Sequence, residues 1–511
     1  MIKRIILFSF VGLALFYGCS RDLPTYQAYE SFSFSKSDPE GGTWKPILLT
    51  SGSEILIDQP QEITSPEYLE EVSRVKVEQS KMSDEDRTQV SYWSNNPVIR
   101  WNEITLGLIA KYNLIPGPND DDSYTLPSAS NPDGKSKFPF AHPPYAVRAL
   151  SYLSVAQYDG MVAACYQQYK HKRFGPSTVD NTIQQFYQDN EIPSYPSDGA
   201  VIAAASRKVL SAMFPLEAEY LLNLQKLHLK SLLHSGAHVE SDILAGIKIG
   251  EYIADLALKR ATGDGMNKAQ VSKSVSDSIA KAGKDNFGWE WKNLEIPARP
   301  VGLAPFFGNV KPWAMSDVKL FRSEPPVAIG SDEFIKDIAL LKDYADNVTP
   351  ERRRIANFWQ DGIGTYTPPG HWNYFATQLI IKYKINPIRS ARIYAYLNMA
   401  MTDAGIACWD TKYYYYYPRP IQMIDGFKTI LGTPNFPAYS SGHSVFSSAG
   451  AEILGFIFPE ERVLLRSWAR EAALSRLYGG IHWSWDASAG TAQGAKVADV
   501  FIDIAAKDGA D

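Results

Sequence analysis

Along most of the chain, apolar residues return every three or four positions, the spacing that lines one face of an α-helix. The pattern starts near Trp101, with Ile104, Leu106, Leu108 and Ile109, and breaks at the Pro- and Asp-rich stretch 116–134. It returns over residues 145–166, 199–213, 216–233 and 241–261. A Lys/Ser/Gly-rich stretch (264–285) and a Pro-punctuated run (296–313) then precede a second helical set: 332–346, 350–359, 372–384, 387–412, 444–457, 460–478 and 486–507. Strand signals are sparse, and no short internal repeat stands out. The pattern predicts an all-α protein of two packed helical bundles, an N-terminal helical domain over 96–330 and a C-terminal one over 331–511.

The first hundred residues read differently. Lys3 and Arg4 precede an apolar run over residues 5–16, too short to span a bilayer with ease and laid out like a secretory signal. It ends at Tyr17-Gly18-Cys19, which resembles a bacterial lipobox. Residues 1–19 are thus read as a lipoprotein-type signal peptide with Cys19 as the lipidated residue, and the protein as exported and anchored at a bacterial membrane, periplasmic or cell-surface. Residues 20–95, rich in Ser, Thr, Pro and Glu, read as a tether plus irregular or short β segments. The 511 residues are 45% hydrophobic and 21% charged, a globular composition. Lys and Arg number 51 against 56 Asp and Glu, so no basic excess points to a nucleic-acid partner. Three cysteines exclude a disulfide scaffold. Cys165 and Cys408 lie in apolar helical patterns and are expected to be buried free thiols.

Chemistry concentrates in the last hundred residues. Lys412 is followed by five tyrosines and Pro418-Arg419-Pro420; then comes Ser440-Ser441-Gly442-His443, at the start of an apolar helix; last is Ser475-Arg476, with His482 and Asp486 beyond it. This is the make-up of a site for a tetrahedral oxyanion. Arg419 and Arg476 offer planar forks that bind such an anion through paired hydrogen bonds, and Lys412 adds a point charge. Ser441 and Gly442 place free backbone N–H groups and a positive helix end at the anion, and glycine lets the backbone come close. An imidazole titrates near neutrality, so one of His443 and His482 can move a proton while the other attacks or ligates the central atom. Asp486, four residues after His482, can fix its tautomer. Gly479-Gly480 breaks the preceding helix and frees His482 to turn inward. Other signals carry less. The acidic loop 119–122 lacks the ligand spacing of an EF-hand. Gly362-Ile363-Gly364 reads as a turn, and Gly442-His443-Ser444 lacks the closing glycine of a nucleophile elbow. His142, His171, His228, His234 and His238 read as structural, and His371 as a rigid-loop residue able to line the cleft.

The charged and imidazole residues resemble the three signature motifs of the type 2 phosphatidic acid phosphatase/vanadium haloperoxidase superfamily: Lys-x6-Arg-Pro, Pro-Ser-Gly-His and Ser-Arg-x5-His-x3-Asp. Ser440 stands where the family usually has proline. Residues 148–160, 358–372 and 404–413 also look similar to segments of secreted bacterial vanadium haloperoxidase-like proteins. The resemblance implies two helix bundles with the anion in the C-terminal one. In a haloperoxidase it implies vanadate as cofactor, with hydrogen peroxide and a halide as substrates. His482 would then be the vanadium ligand, His443 the proton acceptor and Lys412 the group that polarises bound peroxide. In a phosphatase it implies no cofactor and a phosphomonoester substrate, His482 attacking phosphorus to give a phosphohistidine and His443 protonating the leaving oxygen. Three features favour the haloperoxidase branch: the additional N-terminal helical half, the aromatics Trp409 and Phe436 where fungal chloroperoxidase-like members line a halide side, and the lack of further membrane spans in the sequence. The tyrosine run 413–417, a target for hypohalous acid, counts against it.

Overall fold

The computed structural model describes residues 32–94, 96–113, 142–186, 192–295, 299 and 301–510. The signal-peptide segment, the expected lipidation at Cys19 and the acidic loop 119–122 lie outside the described residues. Sixteen α-helices and no strand occur among them. α1 (Pro66–Ser80) and α2 (Asp84–Trp93) lead into α3 (Pro97–Tyr112), α4 (Pro143–His171), α5 (Asp198–Met213), α6 (Ala218–His234) and α7 (Glu240–Thr262). Next come α8 (Lys273–Phe287), α9 (Asp332–Asp346) and α10 (Pro350–Phe358). The last set is α11 (Thr367–Lys382), α12 (Pro387–Tyr415), the single turn α13 (Pro420–Met423), α14 (Gly442–Ile457), α15 (Arg462–Tyr478) and α16 (Ser484–Ala505). The all-α architecture expected from the periodicity is the one found.

Two stretches differ from expectation. Residues 20–95 hold α1 and α2 rather than a largely irregular tether. In α1 the residues Tyr68, Val72 and Val75 form a narrow buried stripe under a Glu-rich surface, and Ser65 caps its start; α2 starts with a capping box between Ser83 and Asp86. The stripe is too thin to register as periodicity in a polar segment. Likewise 264–285 is no mere separator: it contains most of α8, which fully buries only Gly283.

α4 and α12, 29 residues each, lie against each other at the centre of the molecule and are buried on nearly every side. A helix so enclosed must be apolar or small over most of its surface, and each carries a fully buried aspartate in its middle. Asp159 accepts the backbone N–H groups of Ile47, Leu48 and Leu49 at 2.8, 2.6 and 2.9 Å, and Asp403 those of Trp313, Ala314 and Met315 at 2.7, 2.9 and 3.0 Å. One apolar cluster runs from Trp44 through both helical sets to Phe501 and Ala505, so the two bundles share a core. Cys165 and Cys408 are buried and free, as expected. No described helix is long and apolar enough to cross a membrane.

Candidate active site

Four chain segments converge beside the C-terminal end of α12. Its last turn carries Lys412; the backbone then reverses at Tyr416, at φ 54°, and reaches Arg419 at the start of α13. The loop after α13 returns to Ser441, the N-cap of α14, whose hydroxyl accepts from Ser444 N at 3.4 Å. α15 ends just beyond Arg476; Gly480, at φ 75°, turns the chain so that His482 precedes α16, with Asp486 in its first turn. A residue with a Cβ would be strained at that angle.

All the predicted oxyanion residues meet here, and Lys412, Arg419, Arg476, His482, Asp486, Ser441 and Gly442 are buried. Arg419 Nη1 donates to Ile481 O at 2.7 Å and lies 2.9 Å from His482 Nε2, while Nη2 donates to Phe436 O at 2.9 Å. Arg476 is braced by Ser475 Oγ at 2.9 Å and Trp359 O at 2.6 Å. Lys412 Nζ donates to Pro437 O and Ala438 O at 2.8 and 2.9 Å. Among the described residues none of these three cations is ion-paired with a carboxylate; carbonyl dipoles hold them. Burial pulls Lys412 down to about 7, Arg419 to about 10 and Arg476 to about 9.

The histidine–aspartate pair sets a tautomer. His482 Nδ1 lies 2.8 Å from Asp486 Oδ2, which also accepts Trp483 N at 3.1 Å. A guanidinium can only donate, so its contact with Nε2 makes that nitrogen the acceptor and Nδ1 the N–H that donates to the carboxylate. Burial, followed by Arg419 and Lys412, pushes His482 well below the usual imidazole range, and burial raises Asp486 to about 7. His443 is half-buried, with Nε2 3.3 Å from Gln360 O; burial and then Arg476 hold it well below its ordinary value as well. Both rings are therefore neutral near pH 7. The first N–H groups of α14 lack intrahelical partners by construction, and a Cβ on Gly442 would meet nothing closer than Trp409, at 3.9 Å. An open cradle lies in front of that glycine.

The cradle opens into a cavity of about 450 Å³ lined by Gly442, His443, Arg476 and His482 and by the apolar Leu303, Ile421, Leu431 and Phe446. Trp409 and Phe436 line it too, their rings 5.1 Å apart, but the Trp409 indole N–H is committed to Leu303 O at 3.1 Å. Phe436 lies under both Lys412 and Arg419, 5.0 and 5.3 Å from its ring centre. Tyr413, Tyr415 and Tyr417 turn their hydroxyls to the carbonyls of Leu303, Ser323 and Val327. None of residues 413–417 is among the described lining residues.

Sequence reasoning missed several wall residues. His142, read as structural, lines the cavity, with Nδ1 2.6 Å from Asn113 Oδ1. Asp361 and the ion-paired Glu295 and Arg299 line it as well. His371 stands one layer behind the wall, stacked on Trp359 at 4.7 Å and bound to Asp361 at 3.0 Å. Only the four-residue spacing of Glu295 and Arg299 could have marked any of them beforehand.

Residues 393–508 match the PAP2 superfamily. A vanadium chloroperoxidase from Curvularia inaequalis is 23% identical over 441 residues, covering 70% of this chain. The chain spans 64% of the length of that curated relative. The fold is similar to that of a bacterial vanadium-dependent iodoperoxidase, with a TM-score of 0.56 at 22% identity over 71% of this chain and 91% of that one. It is also similar to a holo-type bacterial vanadium-dependent chloroperoxidase, with a TM-score of 0.51 at 14% identity over 76% of this chain and 99% of that one.

Proposed function

We propose, from the premise that residues 393–508 form a PAP2 superfamily domain, that this chain is a vanadate-dependent haloperoxidase-like enzyme that oxidises a halide with hydrogen peroxide. The observation that carries the reading is the gathering of Lys412, Arg419 and Arg476, all buried and none ion-paired with a carboxylate among the described residues, near the neutral His482, which Arg419 touches. Asp486 and Asp361 act on these cations without pairing with any of them; three buried cations held by carbonyl dipoles are costly, and a tetrahedral oxyanion supplies charge in direct contact.

The residues fit vanadate. The Nε2 lone pair of His482, which Arg419 Nη1 occupies at 2.9 Å and would have to release to the anion, would be the ligand, with the ring held by Asp486; Lys412, Arg419, Arg476 and the N–H groups at the start of α14 would hold the oxygens; and the bare backbone at Gly442 leaves room for them. Bound vanadate supplies an electrophilic centre that activates peroxide toward a halide. The protein supplies position and proton handling. Asp486 keeps the His482 tautomer fixed, and the neutral His443 ring, which lines the cavity, would take the proton that incoming peroxide gives up. Trp409 and Phe436 form the apolar side from which a halide would approach.

One observation favours a second reading within the same superfamily. A cavity of about 450 Å³ with apolar side chains such as Leu303, Ile421, Leu431 and Phe446 in its lining exceeds what peroxide and a halide need and would seat the organic part of a phosphomonoester. His482 would then be the nucleophile and His443 the acid, with no cofactor. Purified protein with orthovanadate, peroxide and iodide or bromide, run beside a chromogenic phosphomonoester without vanadate, separates the two. Vanadate-dependent halogenation is the expected result, abolished in His482→Ala. Phosphate release inhibited by vanadate, with no halogenation, would overturn the haloperoxidase reading.

Export and membrane attachment through Cys19 belong to the same proposal and rest on the layout of residues 1–19. Detergent phase partitioning of the full chain against Cys19→Ser tests them.

A further inference from the structure

The two bundles repeat each other in register. α4, α5, α6 and α7 begin at Pro143, Asp198, Ala218 and Glu240; α12, α14, α15 and α16 begin at Pro387, Gly442, Arg462 and Ser484. Each start lies 244 residues after its counterpart, the separation at which Asn398 Nδ2 meets Ser154 Oγ across the middle of the molecule, at 3.4 Å. The same shift carries contacts with it. Arg148 Nε donates to Asp264 Oδ2 at 2.7 Å and Arg392 Nε to Asp508 Oδ2 at 2.7 Å. Arg148 Nη2 donates to Ala261 O and Arg392 Nη2 to Ala505 O, both at 2.8 Å. Asp159 and Asp403 are counterparts, and each gathers three loop N–H groups.

The correspondence reaches the site. Ser475-Arg476, His482 and Asp486 have as counterparts Ser231-Leu232, His238 and Asp242, so the third motif recurs with a single letter changed. Val239 N donates to Asp242 Oδ2 at 2.9 Å, as Trp483 N does to Asp486 Oδ2 at 3.1 Å. Ser197 and Ser441 both cap a helix, and their N–H groups both donate to the carbonyl of the corresponding aspartate, Asp242 or Asp486, at 2.9 Å. What differs is the hole. Gln168 replaces Lys412, Gly199 replaces His443 and Leu232 replaces Arg476. Leu232 fills the space: a Cβ on Gly199 would come within 2.6 Å of Leu232 Cδ2. Arg173 enters from the loop after α4, but Asp242 neutralises it there and the rings of Tyr68 and Tyr195 flank it at 4.8 and 4.6 Å.

We propose that the chain is a fused duplicate of one helical unit, and that its N-terminal copy holds a second oxyanion cradle closed by Leu232 and by the Arg173–Asp242 ion pair. An anion there would have to displace an apolar side chain and compete with an internal carboxylate, whereas the C-terminal cradle offers cations without a rival.

The test is the stoichiometry of orthovanadate binding to the full chain by equilibrium dialysis, with the C-terminal equivalent, removed by His482→Ala, as reference. The wild-type chain is expected to take up one equivalent, and His238→Asn to match its affinity within about twofold. Leu232→Arg, which restores the changed letter, is expected to take up a second equivalent; the activity of its C-terminal site reports that it is folded, and Leu232→Ala opens the same space if the arginine variant does not accumulate. Two equivalents in the wild type would overturn closure, as would affinity about tenfold weaker in His238→Asn. A folded, opened variant that still binds one equivalent would overturn the retained cradle.

Discussion

A buried arginine normally faces a carboxylate, as Arg392 faces Asp508 and Arg173 faces Asp242. Arg419 and Arg476 face carbonyls and an imidazole instead, and this separates a cradle waiting for an anion from a structural ion pair. Lys412 is the cation that burial brings nearest neutrality. Burial lowers it from the ordinary 10.5 to about 7, so between those values the unfolded chain holds the extra proton and folding is favoured increasingly as pH rises. Anion binding runs the other way, because it needs the ammonium. Asp486, raised to about 7, adds negative charge over the same range. Sulfate, whose charge is constant there, should bind progressively more weakly above pH 7, by up to about tenfold per pH unit for one proton taken up. A titration of sulfate affinity by calorimetry that stays flat from about pH 6 to 9 would contradict this assignment. The residues that hold the oxyanion could be read in sequence because three short motifs fix their spacing. His142 and Asp361 could not: each comes from a separate segment, and only packing around the cavity gives it a role.

At the scale of elements, the site is as precise as the helices that carry it. α12 brings Lys412 into place only if its long buried body is fixed, and Asp403, in its middle, ties it to residues 313–315. Burial raises Asp403 to about 6 and the three N–H groups oppose that rise, so the carboxylate serves as an anchor for a loop. Asp403→Ala leaves three donors without their acceptor and should cost about 3 kcal/mol, read as a lower urea midpoint at pH 7 with an unchanged slope. A loss under about 0.5 kcal/mol would show that the loop is held by other means. The apolar periodicity that places α12 also located α4, α5, α14, α15 and α16 to within a few residues, because each buries a wide face. It failed for α1, α2 and α8, whose buried stripes are narrow and whose surfaces are polar.

For the whole molecule, two bundles with one core explain why so large a helical body surrounds so small a site. α4 lies along α12 and braces the helix whose last turn carries Lys412. The repeat that produces this arrangement escaped sequence inspection for a physical reason. Its matching residues, such as Tyr152 and Tyr396, Leu153 and Leu397, or Asp159 and Asp403, are buried ones, scattered among surfaces that have diverged freely. The central claim is that Lys412, Arg419, Arg476 and His443, from one half of this body, form a single oxyanion hole around His482. Orthovanadate binding followed by vanadium NMR tests it most directly. The wild-type chain is predicted to hold vanadate in slow exchange, and both His482→Ala and Arg476→Ala to release it; undiminished binding by the two folded variants would contradict the account.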